Sequence, residues 1–253
     1  MEQIRILSGN NKLAAVVDHP KEKTDKLAIL CPGFLDSKDY NGLLSLAEDL
    51  AALGYTVVRF DPTGTWDSEG TIEEYTTTQY LEDIKSVLEY MVAESHYKHI
   101  LLGGHSRGGQ LSLLYAARDS RISLVVAIMP SSPYTLTQET RDNWGKDGVR
   151  VSSRDIPGSD SMKEFRVPFS HALDRDKYNV LDEVKKIHVP AILIAGELDD
   201  LVLPEHVKGI FEAANEPKKF IIIRGVGHDY RRNISDVKEV NKVILKELEL
   251  DQY

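Results

Sequence analysis

The stretch that most restricts how this chain can fold is HILLGGHSRGG, residues 99–109. An apolar run of strand length, Ile100-Leu101-Leu102, leads into Gly104-His105-Ser106-Arg107-Gly108, and the residues behind it, Gln110 to Arg118, fit a helix with one apolar face. A G-x-S-x-G between a strand and a helix predicts a sharp turn that holds the serine in a strained backbone conformation with its hydroxyl outward. Glycines are needed on either side because a side chain there would collide with the strand or helix folded back beside it. The serine also sits near a helix N-terminus, where backbone N–H groups are free to meet a developing negative charge. The same five residues could equally form a glycine-rich turn with an idle serine, so the surrounding chain has to decide.

That chain alternates strands and helices. Residues 3–8 and 12–18 read as two strands joined by Gly9-Asn10-Asn11. Residues 27–31, LAILC, form a continuous apolar strand of the kind buried on both faces, ending at Pro32-Gly33-Phe34. The pattern then predicts a helix over 42–53, a strand over 55–60, a helix over 75–94, the serine turn with its flanking elements, and a strand over 122–129. It breaks at Pro130. Residues 131–188 have few long apolar runs and read as an inserted helical cap or lid within a single domain spanning 1–253. Alternation resumes with a strand at 191–195, a helix at 204–214, a strand at 220–223 and a last helix from about 235 to 249. Such alternation implies an α/β fold, a parallel-rich sheet with helices on both faces. Ligands bind such sheets outside the C-terminal strand ends. The loops at 32–35, 104–108, 196–200 and 225–228 each follow a strand and so share one edge.

Composition serves here to exclude. With 31 basic and 40 acidic residues the net charge is −9, which disfavours nucleic acid and anionic membrane surfaces and suits neutral or cationic substrates. The longest apolar run, Leu124 to Met129, is too short to span a bilayer. The start, MEQIRILSGN, lacks the pattern of a signal peptide. The single cysteine, Cys31, excludes an internal disulfide and a cysteine-based metal cluster, and reads as a small buried hydrophobe. A cytoplasmic protein without a membrane span is expected. Nothing in the sequence sets its oligomeric state, and a homodimer is compatible with it.

Serine is a poor nucleophile at neutral pH; it needs a base, and the base needs an orienting partner. Among eight histidines, His228 stands out because it follows a late strand end, between Gly227 and Asp229. His105, beside the serine, is expected to be directed away by the turn. The orienting acid should follow the strand at 191–195, where Asp199 and Asp200 both qualify.

The segments GGHSRGG, AGELDDLV and GVGHDY resemble the three signature loops of the α/β-hydrolase superfamily, and the resemblance covers nearly the whole chain. Its G-x-x-D-x-x-V spacing selects Asp199, giving the family's chain order Ser106, Asp199, His228. FDPTGTWDSEG is similar to the family's D-x-x-G-x-G-x-S-x-G segment, with Trp66 where a glycine is usual. Cys31-Pro32-Gly33-Phe34 resembles the family's H-G-[FW] oxyanion loop without its histidine, which implies the backbone N–H groups of Phe34 and Arg107 as oxyanion donors. The α/β-hydrolase fold so implied is a mostly parallel eight-stranded sheet with helices on both faces and a small inserted cap. Length and cap are most similar to small serine carboxylesterases of the cinnamoyl or feruloyl esterase kind. That resemblance implies cleavage of small-molecule aromatic or short-chain acyl esters through an acyl-enzyme on Ser106, with no metal or organic cofactor. A serine peptidase or amidase on the same fold, or a ligand-binding protein with little turnover, are the alternatives.

Four side chains are expected to contact substrate: Trp66 and Trp144 as aromatic pocket walls, and Tyr134 and His171 from the cap region. The Arg107 side chain is expected to pack on the following helix or pair with an acid, recognition of a substrate carboxylate being the alternative.

Overall fold

The computed structural model describes residues 1–250; residues 251–253 of the expected domain lie outside the described residues. The N-terminal part comprises β1 (Glu2–Ser8), β2 (Asn11–Asp18), β3 (Lys26–Cys31), α1 (Asn41–Ala52), β4 (Thr56–Phe60), α2 (Thr77–Glu94), β5 (His99–His105), α3 (Arg107–Ala116) and β6 (Leu124–Ile128). A connecting segment follows, with α4 (Gln138–Asp147), β7 (Val149–Asp155), β8 (Met162–Pro168), α5 (Ser170–Arg175) and α6 (Val180–Glu183). The chain ends with β9 (Ala191–Gly196), α7 (Pro204–Ala213), β10 (Lys218–Ile223) and α8 (Ile234–Leu250).

Eight strands form one sheet in the order β1-β2-β4-β3-β5-β6-β9-β10. Only the β1–β2 and β2–β4 pairs are antiparallel; from β4 to β10 every neighbour is parallel. The period-two geometry of a strand sends alternate side chains to opposite faces. In β3, Leu27 and Ile29 join one buried cluster, while Ala28 and Leu30 join the other. The first cluster lies under α2, α3 and α7, through Ile84, Leu114 and Ile210 among others. The second lies under α1 and α8, through Leu46 and Val240 among others. Both faces are therefore covered, which is why the central strands read as unbroken apolar runs. Each fully buried Leu, Ile or Val in these clusters contributes about 1.5–3 kcal/mol relative to exposure. No helix among the described residues is long and apolar enough to cross a membrane.

Helix α2 starts two residues later than the periodicity predicts. The Thr76 hydroxyl accepts a hydrogen bond from the Gln79 N–H at 3.0 Å, and this cap fixes the boundary.

The expectation of a helical insertion at 131–188 needs correction. Beside its helices α4, α5 and α6, the segment holds an antiparallel hairpin, β7–β8, paired from Val149↔Pro168 to Asp155↔Met162. Its alternation is faint because only Phe165 and Val167 of the two strands are buried. The outer residues carry charge, and a period-two apolar signal needs more than two members to be visible.

Candidate active site

The turn after β5 has the geometry its glycines require. Ser106 has φ 54° and ψ −116°, outside the regions ordinary residues favour, and its backbone N–H is held by the Ile128 carbonyl at 2.8 Å. A Cβ on Gly108 would lie 2.0 Å from the Cys31 carbonyl oxygen, so α3 can pack against the β3 loop only where no side chain intervenes.

Three side chains from three separate loops meet above this turn. The Ser106 hydroxyl lies 2.9 Å from Nε2 of His228, and Nδ1 of His228 lies 2.7 Å from Oδ2 of Asp199. With the carboxylate accepting from Nδ1–H, Nε2 is left to accept the serine proton. The other Asp199 oxygen accepts from the backbone N–H groups of Leu201 and Val202, at 3.0 and 2.7 Å. Asp199 is 2% exposed, whereas Asp200 is exposed. A hydroxyl hydrogen-bonded to an imidazole that is anchored by a buried carboxylate is the arrangement that activates a serine oxygen.

Phe34 and Arg107 border the same cavity as Ser106. Neither of their backbone N–H groups donates to another group among the described residues. The loop carrying Phe34 is held from outside by residues that the motif reading did not single out. The Tyr80 hydroxyl donates to the Pro32 carbonyl at 2.9 Å, and the Tyr75 hydroxyl accepts from the Leu35 N–H at 3.2 Å. Burial pushes both phenols upward in pKa, so both stay neutral.

The cavity beside Ser106 measures about 370 Å³. Trp144 and His171 border it, their rings stacked at 5.7 Å and 26°. Burial, then the nearby Arg107 charge, holds His171 well below the ordinary histidine range. It is therefore neutral, and Nδ1–H donates to the Tyr75 carbonyl at 2.6 Å.

Two residues expected at the pocket lie elsewhere. Tyr134 is 63% exposed and packs on the His206 ring, away from the cavity. Trp66 is wedged between Tyr40 and Phe165, and its Nε1–H donates to the Leu35 carbonyl at 3.0 Å. It supports the loop from behind instead of lining the cavity, because its own turn brings it under β8.

His105 also departs from expectation. Its ring packs 4.7 Å from that of His228 and borders the cavity, with Nδ1 3.8 Å from an Asp36 oxygen. Burial lowers its pKa, and His228 adds to that, while Asp36 acts in the opposite sense.

Arg107 was expected to pack on α3 or pair with an acid. Among the described residues it makes no ion pair; its guanidinium donates to the Thr77 hydroxyl at 3.0 Å and lies over the Tyr75 ring. Its neighbours in the cavity include five further arginines against two aspartates, Asp36 and Asp229. Among the described residues no group of three or more His, Cys, Asp or Glu is arranged to hold a metal ion.

A family profile described as the alpha/beta hydrolase fold matches residues 27–153, and the chain belongs to that family. Among its relatives is the mouse mitochondrial palmitoyl-protein thioesterase ABHD10, 25% identical over 217 residues that cover 83% of this chain and 70% of that one. Two solved structures share the fold over almost all of both chains. The Butyrivibrio proteoclasticus protein Est1E with ferulic acid bound gives a TM-score of 0.78 at 23% identity, covering 96% of this chain and 98% of that one. The α/β hydrolase GrgF from a Penicillium species gives 0.82 at 21% identity, covering 98% and 96%.

Proposed function

We propose that this α/β-hydrolase is a serine carboxylic-ester hydrolase working through an acyl-enzyme on Ser106. The observation that carries the reading is the continuous hydrogen-bonded chain from Ser106 through His228 to Asp199, at 2.9 and 2.7 Å. In this mechanism the Ser106 oxygen attacks the acyl carbonyl while His228 takes its proton. Asp199 keeps the imidazole in the required tautomer and stabilises the imidazolium. The backbone N–H groups of Phe34 and Arg107 meet the tetrahedral oxyanion, each such donor being worth about 3 kcal/mol in the transition state. His228 then protonates the leaving alcohol, the acyl group remains on Ser106, and water repeats the sequence to release the acid. The segment 131–188 is the cap that walls the pocket, with Trp144 and His171 facing the substrate. Thioesters are a second reading, favoured by the thioesterase relative.

The test is labelling by a fluorophosphonate, located by mass spectrometry, together with turnover of p-nitrophenyl acetate, butyrate and octanoate, methyl ferulate and an acyl thioester. Label on Ser106, and turnover abolished in Ser106→Ala, is the expected result. An unlabelled serine with no difference between wild type and the variant would refute it. Comparing ester with thioester decides between the two readings.

A further inference from the structure

The chain carries an excess of acidic residues, 40 against 31 basic, yet the cavity beside Ser106 has the opposite sign. Six arginines border it against two aspartates. Three of the six are neutralised. Arg154 lies 3.9 Å from Asp36, Arg231 lies 2.8 Å from Asp155, and Arg232 pairs with Asp155 and Asp229 at 3.3 and 3.5 Å.

The other three, Arg107, Arg150 and Arg175, make no ion pair among the described residues. Arg107 has only the Thr77 hydroxyl as hydrogen-bond partner, and its Nε is buried without one. Arg175 donates to the Ser132 carbonyl at 2.8 Å. Arg150 lies 5.8 Å from the ring centres of both Phe34 and Trp144, and no hydrogen bond holds it. The three come from α3, β7 and α5, so one helix or one charged run does not account for them. Burial, followed by the neighbouring Arg107 charge, lowers Arg175 to about 10. Like charges gathered in a partly desolvated cavity repel one another, and the arrangement is unfavourable until an anion enters. Packing alone would be served by neutral side chains of similar length.

We propose that the cavity accepts an ester carrying a free carboxylate, held by Arg107, Arg150 and Arg175 against the Trp144–His171 wall while its acyl carbon faces Ser106. A guanidinium is suited to this task because its planar fork matches a carboxylate with two parallel hydrogen bonds. The substrate class is then a half-ester of a dicarboxylic acid, or an ester whose leaving alcohol bears the carboxylate. This local field points the opposite way from the expectation of neutral or cationic substrates drawn from net charge: net charge describes the molecule as a whole, and the cavity departs from it. The inference rests on the ester-hydrolase reading for its chemistry, but the anion subsite can be tested apart from it.

The experiment compares kcat/KM for matched pairs. p-Nitrophenyl hemiglutarate against p-nitrophenyl valerate places the charge on the acyl side, and 4-butyryloxybenzoate against phenyl butyrate places it on the leaving group. Wild type, Arg150→Gln, Arg175→Gln and Arg150→Lys are assayed at low and high salt, with thermal unfolding confirming that each folds. Arg150 is exposed and, among the described residues, its side chain has neither a hydrogen bond nor an ion pair, so its removal leaves no polar group unsatisfied. The anionic ester should be favoured about tenfold or more in one pair, and either glutamine variant should reduce that preference about tenfold, mainly through KM. Arg150→Lys should retain part of it, and salt should weaken it. The pair showing the effect identifies which side carries the carboxylate. Absence of preference in both pairs, or preference untouched by both glutamine variants, overturns the proposal. Calorimetric titration of Ser106→Ala with the same four esters reads binding without turnover. Charge-selective binding lost in Arg150→Gln on that background supports the subsite even if wild type hydrolyses none of them.

Discussion

At the scale of single residues, the neighbours Asp199 and Asp200 illustrate how position separates identical chemistry. Asp199 gives one oxygen to His228 and the other to the Leu201 and Val202 N–H groups, so its carboxylate has little freedom to rotate. Asp200 points to solvent. Asp199→Asn should lower kcat by about 10³–10⁴-fold, because the amide presents the wrong donor pattern to the imidazole. Asp200→Asn should change kcat by less than about threefold, as surface substitutions usually do. Steady-state kinetics of the two variants checks this, and the reverse ranking would move the acid by one residue. The residues of this hydrogen-bonded chain were legible in the sequence because each sits in a short loop after a strand, where glycines and spacing leave a local signature. Position alone left the two aspartates equivalent, and only the family spacing separated them. Arg150 and Arg175 were not legible. They reach the cavity from β7 and α5, and convergence of side chains so far apart in sequence has no local pattern.

At the scale of elements, the loop after β3 shows how a departure from the family motif is accommodated. Pro32 stands where the motif has the residue before glycine, and its carbonyl is held by Tyr80 of α2, a residue with 0% exposure. Tyr80→Phe would leave that buried carbonyl without its donor, at a cost of about 1–3 kcal/mol. Chemical denaturation should report that loss. If the loop positions the Phe34 N–H, kcat for esters should fall with little change in KM. A stable variant with unaltered kcat would show that Tyr80 does not set the loop. The strands and helices of the sheet were readable because burial on two faces writes long apolar runs, and amphipathic helices write a period of 3.6. The β7–β8 hairpin was not, since only Phe165 and Val167 face the interior. Trp66 and Tyr134 were misplaced for a related reason: aromatic character marks a residue that packs, without saying against what.

At the scale of the whole molecule, the segment between β6 and β9 is tied to the loop that carries His228. Asp155, at the end of β7, accepts from both terminal nitrogens of Arg231 at 3.0 and 2.8 Å. The Tyr40 hydroxyl donates to the Asp155 carbonyl at 2.7 Å, and the Arg231 guanidinium lies 3.8 Å from the Tyr40 ring centre. The hydrogen bonds from Arg231 hold the Asp155 carboxyl down at about 2, below its ordinary value of 3.8. A carboxylate whose folded pKa is depressed contributes stability above its unfolded pKa and loses it as pH falls toward the folded value. The tie should therefore be complete at pH 6 and largely lost between pH 4 and about pH 2. Its side chain is 35% exposed, so solvent screening limits the contribution to about 1 kcal/mol. Asp155→Asn should accordingly unfold about 2–4 °C below wild type at pH 6. The two midpoints should converge as pH is lowered toward 3, because protonation does to wild type what the substitution has already done. Hydrogen exchange at pH 6 should be faster in β7 and β8 of the variant, with the central strands β3 and β5 unaffected. A difference in midpoint that stays constant with pH would mean that shape, not charge, holds the hairpin to the His228 loop.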